Sequence, residues 1–260
     1  MIDGLGSILF SLSLSAGLAV LLLPMAQVFS GGDRSARFVW LGLISALYIG
    51  GWTFSALAVD LPRIALTPTL IAVNALGVGL IGVAVFLSSV PAVIRSATKI
   101  AEKIVGGAGK ATFALIFAMA LLQFIVVVLR YVFGINIIAM QEGVTYFHGA
   151  IFLIASGYVL LVDGHVRVDI LYSGVSDRRK ALINLIGAYA FLFPFCLLTL
   201  WTAAPYVENA WAVREGSTEP SGIQGIYLLK TLIPIFGTLL TMAGFATASR
   251  AAATLMREPL

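Results

Sequence analysis

The residues able to do chemistry gather mainly in one stretch of an otherwise apolar chain. Between positions 130 and 171 stand Arg130, Glu142, His148, His165, Arg167 and Asp169. Haem ligation by the two histidines fails on spacing. His148 and His165 are 17 residues apart in sequence, roughly 25 Å along a helix, so they cannot hold the two faces of one haem. The remaining reading for His148 is a histidine hydrogen-bonded at the outer membrane boundary. The single cysteine, Cys196, lies in an apolar segment; it cannot form an intrachain disulfide, and one Cys with two His is too few ligands for a Cys/His metal site. Hydrolysis would need a nucleophile, a base and an orienting acid held together. No GxSxG-like context occurs and the carboxylates fall on both membrane faces, so neither an enzyme nor a cofactor is expected. Gly77-Val78-Gly79-Leu80-Ile81-Gly82 matches GxGxxG, but inside an apolar run it reads as small residues for close helix packing rather than a phosphate loop.

The elements that position these residues are membrane helices. At 60% hydrophobic, 11% charged and mean hydropathy +1.03, the chain lies outside the range of soluble domains. A helix needs about 20 apolar residues to cross the hydrocarbon core. Runs of that length occur near 5–29, 38–59, 69–94, 111–133, 144–162, 181–204 and 226–249. They are continuous, unlike the short alternating strands of a membrane barrel. The first run lacks the basic start of a cleaved signal and is read as a helix of the mature protein. The predicted fold is therefore all-α and polytopic, with seven transmembrane helices.

Lysine and arginine orient it. One set of alternate loops, with the C-terminus, carries Arg34, Arg37, Arg95, Lys99, Lys103, Lys110, Arg167, Arg178, Arg179, Lys180, Arg250 and Arg257. The other set holds only Arg63, Arg130, Arg214 and Lys230. The positive-inside rule then predicts the N-terminus outside, in the periplasm, and the C-terminus inside, in the cytoplasm. Basic residues scattered between spans also account for the net charge of +4 without nucleic acid as a partner.

Between the third and fourth spans, Ala97, Ile100, Ala101, Ile104 and Val105 fall on one helical face, with Lys99, Glu102 and Lys103 on the other. This pattern predicts an amphipathic connector over 95–110 lying on the inner leaflet, Lys99 and Lys103 contacting lipid headgroups. Gly106-Gly107-Ala108-Gly109 is expected to end it. The connector separates a three-helix extension, 1–94, from a four-helix core, 111–260. No repeat relates the two parts, so the inverted-repeat pattern of a complete secondary transporter is missing.

No span carries a charge at its middle, the usual mark of an ion path. Lys230 is nearest, and its stem is expected to snorkel outward. Asn74, Gln123 and Asn184 read as interhelical hydrogen-bond partners, and Pro194 and Pro234 as kinks. Charges at span ends are ordinarily solvated anchors. Arg167 and Asp169 differ because they alternate with Val166 and Val168 just past a helix end, a pattern suited to a structured loop against another protein.

In these residues the sequence resembles the DctQ-like small membrane subunit of tripartite ATP-independent periplasmic (TRAP) transporters, over roughly 110–256. The resemblance is carried by Arg130-Tyr131-Val132-Phe133, Gln141-Glu142 and His165-Val166-Arg167-Val168-Asp169. Met140-Gln141-Glu142, Pro194-Phe195-Cys196, Glu215-Gly216-Ser217 and Leu228-Leu229-Lys230-Thr231 look like the mannitol or chloroaromatic-compound subgroup. Ala139 stands where many members carry Trp, and Gln141-Glu142 replaces their paired Glu.

What the resemblance implies is a sodium-coupled system in a bacterial inner membrane that takes up organic acids or similar small solutes. Its partners would be a large DctM-like permease subunit, of elevator type, and a periplasmic DctP-like solute-binding protein. This chain would be the fixed stator rather than the path. Arg130, Glu142, His165, Arg167 and Asp169 are the expected large-subunit contacts or structural residues, and Glu208, Glu215 and Glu219 the expected periplasmic surface for the binding protein. The alternative is a membrane anchor subunit of a redox complex, which would show a haem Soret band.

Overall fold

The computed structural model describes residues 91–165, 172 and 174–257, together with 17, 20–30, 36, 39, 79, 82 and 83. Of the three spans expected before residue 95, the described residues include part of the first and only a few positions of the other two; most of the Gly77–Gly82 run and Asn74 also lie outside the described residues. Every regular element among the described residues is helical. These are α1 (Leu23–Ser30), α2 (Pro91–Tyr131), α3 (Ile138–Leu161), α4 (Asp177–Gly187), a π-helical turn (Ala188–Leu192), α5 (Phe193–Ala212) and α6 (Ile226–Met256). Among the described residues four stretches are long and apolar enough to cross a membrane: Ala92–Tyr131, Ile138–Leu161, Asp177–Ala212 and Ile226–Met256. They correspond to the four spans of the expected core. With no water in the hydrocarbon, helices satisfy the backbone within each segment.

The chain divides into two compact units, Met1–Ala97 with Ala248–Leu260, and Thr98–Thr247. In the first unit Leu23, Ala26, Ile94, Ala251 and Ala252 are buried. The second unit contains every candidate site residue that is described.

Three boundaries correct the sequence reading. The glycines at 106, 107 and 109 do not end a connector; α2 continues through them for 41 residues, about 60 Å and twice the hydrocarbon thickness. Glycine costs a helix about 1 kcal/mol relative to alanine, and tertiary contact accounts for its use at Gly109. This residue is buried, and a Cβ there would collide with the Tyr158 ring of α3. Glu142, expected in a loop, lies in α3, which begins at Ile138. The span expected over 181–204 runs past Pro205 to Ala212.

Pro194 acts by widening rather than by a simple kink. It has no N–H for the carbonyl four residues back, and the turn before it opens to π geometry, with Phe193 N–H donating to Ala188 O five residues back. Asn184 donates from Nδ2 to Tyr172 Oη at 3.0 Å, a partner in the turn before α4 rather than on another helix as expected. Gln123, by contrast, is exposed.

Small residues set the order of helices in the second unit. A Cβ on Gly143 of α3 would stand 3.1 Å from Leu122 of α2, and one on Gly157 would stand 2.9 Å from the Leu239 carbonyl oxygen of α6. On the other side of α6, Gly237 meets Leu200 of α5 and Gly244 meets Leu192. The helices therefore sit in the order α2, α3, α6, α5. Membrane helices gain little from apolar burial against each other, so close backbone approach through small residues is the main source of packing energy. Val105, Leu161, Leu239, Ala243 and Ala246 form the shared core of α2, α3 and α6.

These contacts give glycines of one sequence type opposite mutational signs. Gly157→Ala is expected to destabilise the chain by about 1–3 kcal/mol because Leu239 backbone cannot move aside. Gly107→Ala, exposed and with nothing near its Cβ, should stabilise it by about 1 kcal/mol. Thermal unfolding followed by circular dichroism in detergent measures both.

Candidate functional site

The site is the end of the bundle where α3 begins and where α5 connects to α6. α5 stops in a left-handed closure. Arg214 (φ +46°) turns the chain while its N–H donates to Trp211 O at 3.2 Å and Glu215 N–H donates to Ala210 O at 2.9 Å. A non-glycine residue held there costs roughly 1–2 kcal/mol, and the surrounding contacts must hold it. The following loop then folds on itself. Ser217 N–H donates to Ile223 O at 3.1 Å and Gly222 N–H to Glu219 O at 2.9 Å, and Glu219 N–H donates to Ser217 Oγ at 3.1 Å.

Glu142 fastens this loop to α3. One carboxylate oxygen accepts the Ile223 N–H at 2.6 Å, and the other accepts the Ser217 hydroxyl. Hydrogen bonds to an ionised acceptor are about twice as strong as neutral ones. Gly222 lets the carboxylate come this close, since a Cβ there would lie 2.7 Å from Glu142 Oε1. One turn along α3, Tyr146 Oη is buried without a hydrogen-bond partner among the described residues.

A second fastening joins the loop to α5 and α6. Lys230 Nζ donates to the Glu215 carboxylate and lies 3.9 Å from the centroid of the Tyr206 ring. Its side chain is only 13% exposed, against 36% for Glu215, so the expected outward snorkelling does not occur. An ammonium with a carboxylate on one side and an aromatic face on another needs no headgroup contact. Beside it, Trp211 Nε1 donates to Thr231 Oγ1 at 2.9 Å, and the Trp211 and Tyr227 rings meet edge to face with centroids 4.8 Å apart.

The candidate residues thus separate into groups. Glu142 and Glu215 are structural ties within the cap. Glu208 and Glu219 are exposed and remain available to a partner. Arg130 is exposed at the same end, its guanidinium 5.9 Å from the Tyr131 ring centroid. His165 is exposed beyond the other end of α3, whereas Arg167 and Asp169 lie outside the described residues. Lys99 and Lys103 are exposed on α2. His148 is also exposed and stacks with Phe152 at 6.4 Å; the hydrogen bond expected for it is not found among the described residues. Sequence reading did not identify Tyr206 and Ile223 as parts of the cap, although Glu208, Glu215 and Glu219, read as an outer surface, and the motif residues Glu215-Gly216-Ser217 and Lys230 pointed to this end of the bundle.

Chemically the cap offers the Lys230–Glu215 ion pair and hydrogen bonds satisfied internally, with Tyr146 Oη the exception. Among the described residues no group of three or more His, Cys, Asp or Glu side chains converges to hold a metal. This is a rigid polar surface on an apolar bundle. Glu142→Ala removes both of its anchors, and the Ile223 amide should then exchange hydrogen about tenfold faster or more. Hydrogen-exchange mass spectrometry over 213–225 would show it, while the 231–245 segment of α6 should remain unchanged.

Comparison with known proteins follows the same elements. Residues 119–254 match the family model described as Tripartite ATP-independent periplasmic transporters, DctQ component. No curated protein and no solved structure matches. The match covers just over half of the chain and runs from within α2 to within α6, through all four membrane-length helices and the cap between α5 and α6. The chain belongs to the DctQ component family of tripartite ATP-independent periplasmic transporters.

Proposed function

We propose that this small TRAP transporter subunit is the fixed stator against which a large DctM-like permease subunit moves, in the inner membrane of a bacterium. The observation that carries this reading is the position of charge. From Ala111 to Leu129, from Gly143 to Leu161, from Phe193 to Val207 and from Thr231 to Ser249 no Asp, Glu, Lys or Arg occurs. A solute or ion path through these spans would need polar or charged groups in the interior, whereas a stator needs apolar contact area. α2 supplies such area, because Phe113, Phe117, Leu121 and Phe124 lie along one face and are all exposed. Sodium coupling and uptake of organic acids or similar small solutes belong, in this reading, to the large subunit and its binding protein.

The orientation follows from the ends. Lys99, Lys103, Arg178 and Arg179 gather at one end of the second unit, and Glu142, Glu208, Glu215 and Glu219 at the other. The basic end faces the cytoplasm and the cap faces the periplasm. Arg167 and Asp169 are assigned to the cytoplasmic contact with the large subunit, supported by their alternation with valines.

Tagging the chain in its own host and extracting the membrane gently should recover a large polytopic permease in stoichiometric amount. Recovery of the chain alone, or with soluble redox subunits, would reject the stator reading. Alanine at both Arg167 and Asp169 should lower that recovery, and unchanged recovery would remove them from the contact.

Docking of the binding protein is tested at the free carboxylates, since reversal of Glu215 would also break its tie to Lys230. Glu208→Lys with Glu219→Lys is expected to reduce binding-protein-dependent uptake roughly tenfold at low salt, with less effect at high salt. Uptake at the parental level, with complex yield intact, would show that this surface does not dock the binding protein.

A further inference from the structure

We propose that a strip along the N-terminal half of α2 binds the headgroup of an anionic phospholipid. Lys99, Lys103 and Lys110 lie within roughly 40° of one another around the helix and span about 16 Å of its length. All three are exposed, and none has an ion-pair partner among the described residues. Beside them, Ile100 is 60% and Ile104 44% exposed. A band of three ammonium groups next to a band of branched aliphatics matches a lipid's phosphate and acyl chain.

The depth is also right. The opposite side of this helix is held by protein, with Ala101 and Val105 buried and Val105 in the core with Leu161. Leu161 is the last residue of α3, a helix of 24 residues whose length, about 36 Å, matches the hydrocarbon core plus its margin. Val105 therefore stands near the hydrocarbon edge. Lys99 and Lys103 lie beyond it among the headgroups, and Lys110 lies just inside, from where its stem reaches back to the surface. The segment is thus one side of a packed helix rather than the separate connector expected from sequence, which gives the lipid a fixed wall. In the orientation proposed above this is the inner leaflet. The strip itself requires only that the chain spans a membrane, so it can fail without affecting the stator reading, and the reverse.

The test is native mass spectrometry of the delipidated full chain in neutral detergent, titrated with dioleoylphosphatidylglycerol or dioleoylphosphatidylcholine. The wild type is expected to retain phosphatidylglycerol preferentially, and high salt should weaken that preference. Lys99→Gln with Lys103→Gln and Lys110→Gln should reduce the preference by roughly tenfold or more. Arg178→Gln with Arg179→Gln, at the same end but off the strip, should leave it within about twofold. Equal retention of the two lipids by the wild type would overturn the proposal. So would an unchanged preference in the lysine variant, an equal loss in both variants, or displacement of the lipid by inorganic phosphate at similar concentration. Should the triple variant lose its helical circular dichroism, the three single substitutions replace it. A few-fold loss in each then supports the strip, and no loss in any rejects it.

Discussion

The carboxylate of Glu142 bears on the whole periplasm-assigned end of the bundle. A loop that leaves one membrane helix and enters the next must satisfy its own backbone groups near the hydrocarbon boundary, where water is scarce. Glu142 takes the Ile223 N–H and the Ser217 hydroxyl together, so the loop's position is set from α3 rather than by its flanking helices alone. With Ser217 and Ile223 held, Glu215 lies where Lys230 can reach it, and Trp211 closes on Thr231 and Tyr227. Four elements then behave as one surface. That rigidity leaves Glu208 and Glu219 as the exposed acidic groups of the α5 end and its loop.

Between its two ends the bundle is held by shape. Gly157 against the Leu239 backbone, Gly109 against Tyr158 and Gly237 against Leu200 bring helices to distances that larger side chains would forbid. Dispersion attraction at this close range takes the place of the hydrophobic driving force, which lipid removes. The same solvent explains why so much large apolar surface, including Phe117 and Trp201, remains exposed on the chain. In a bilayer such faces meet acyl chains or another membrane subunit without penalty. The long helices add a further consequence. Because α2 is about twice as long as the hydrocarbon is thick, part of it extends beyond a single crossing, and in the proposed orientation that part is the lysine-bearing N-terminal end.

Much of this was legible in the residues. Continuous apolar runs located the four membrane-length helices because the bilayer sets their minimum length. Glu142, Glu215 and Lys230 drew attention as polar residues beside such runs. Their pairing was not legible, since Glu142 and Ile223 are 81 positions apart and no periodicity relates them. The glycines at 106–109 misled for a related reason: local propensity reads them as a break, whereas the Tyr158 ring occupies the space beside Gly109. α5 continues past Pro205 to Ala212, because a helix in an apolar medium tolerates a missing donor when the alternative is an exposed backbone.

What the sequence by itself determined is which segments are helical and apolar, and that charge must sit at their ends; both follow from the cost of polar groups in hydrocarbon, which acts residue by residue. Which charges would be spent on internal ties and which left at the surface was decided by the tertiary structure. Glu215 and Glu219 are four residues apart in one loop, yet one is bound to Lys230 and the other is exposed. The difference lies in the left-handed turn at Arg214 and the anchor at Glu142, because a hydrogen bond or ion pair depends on distances of a few ångströms between elements that only folding brings together.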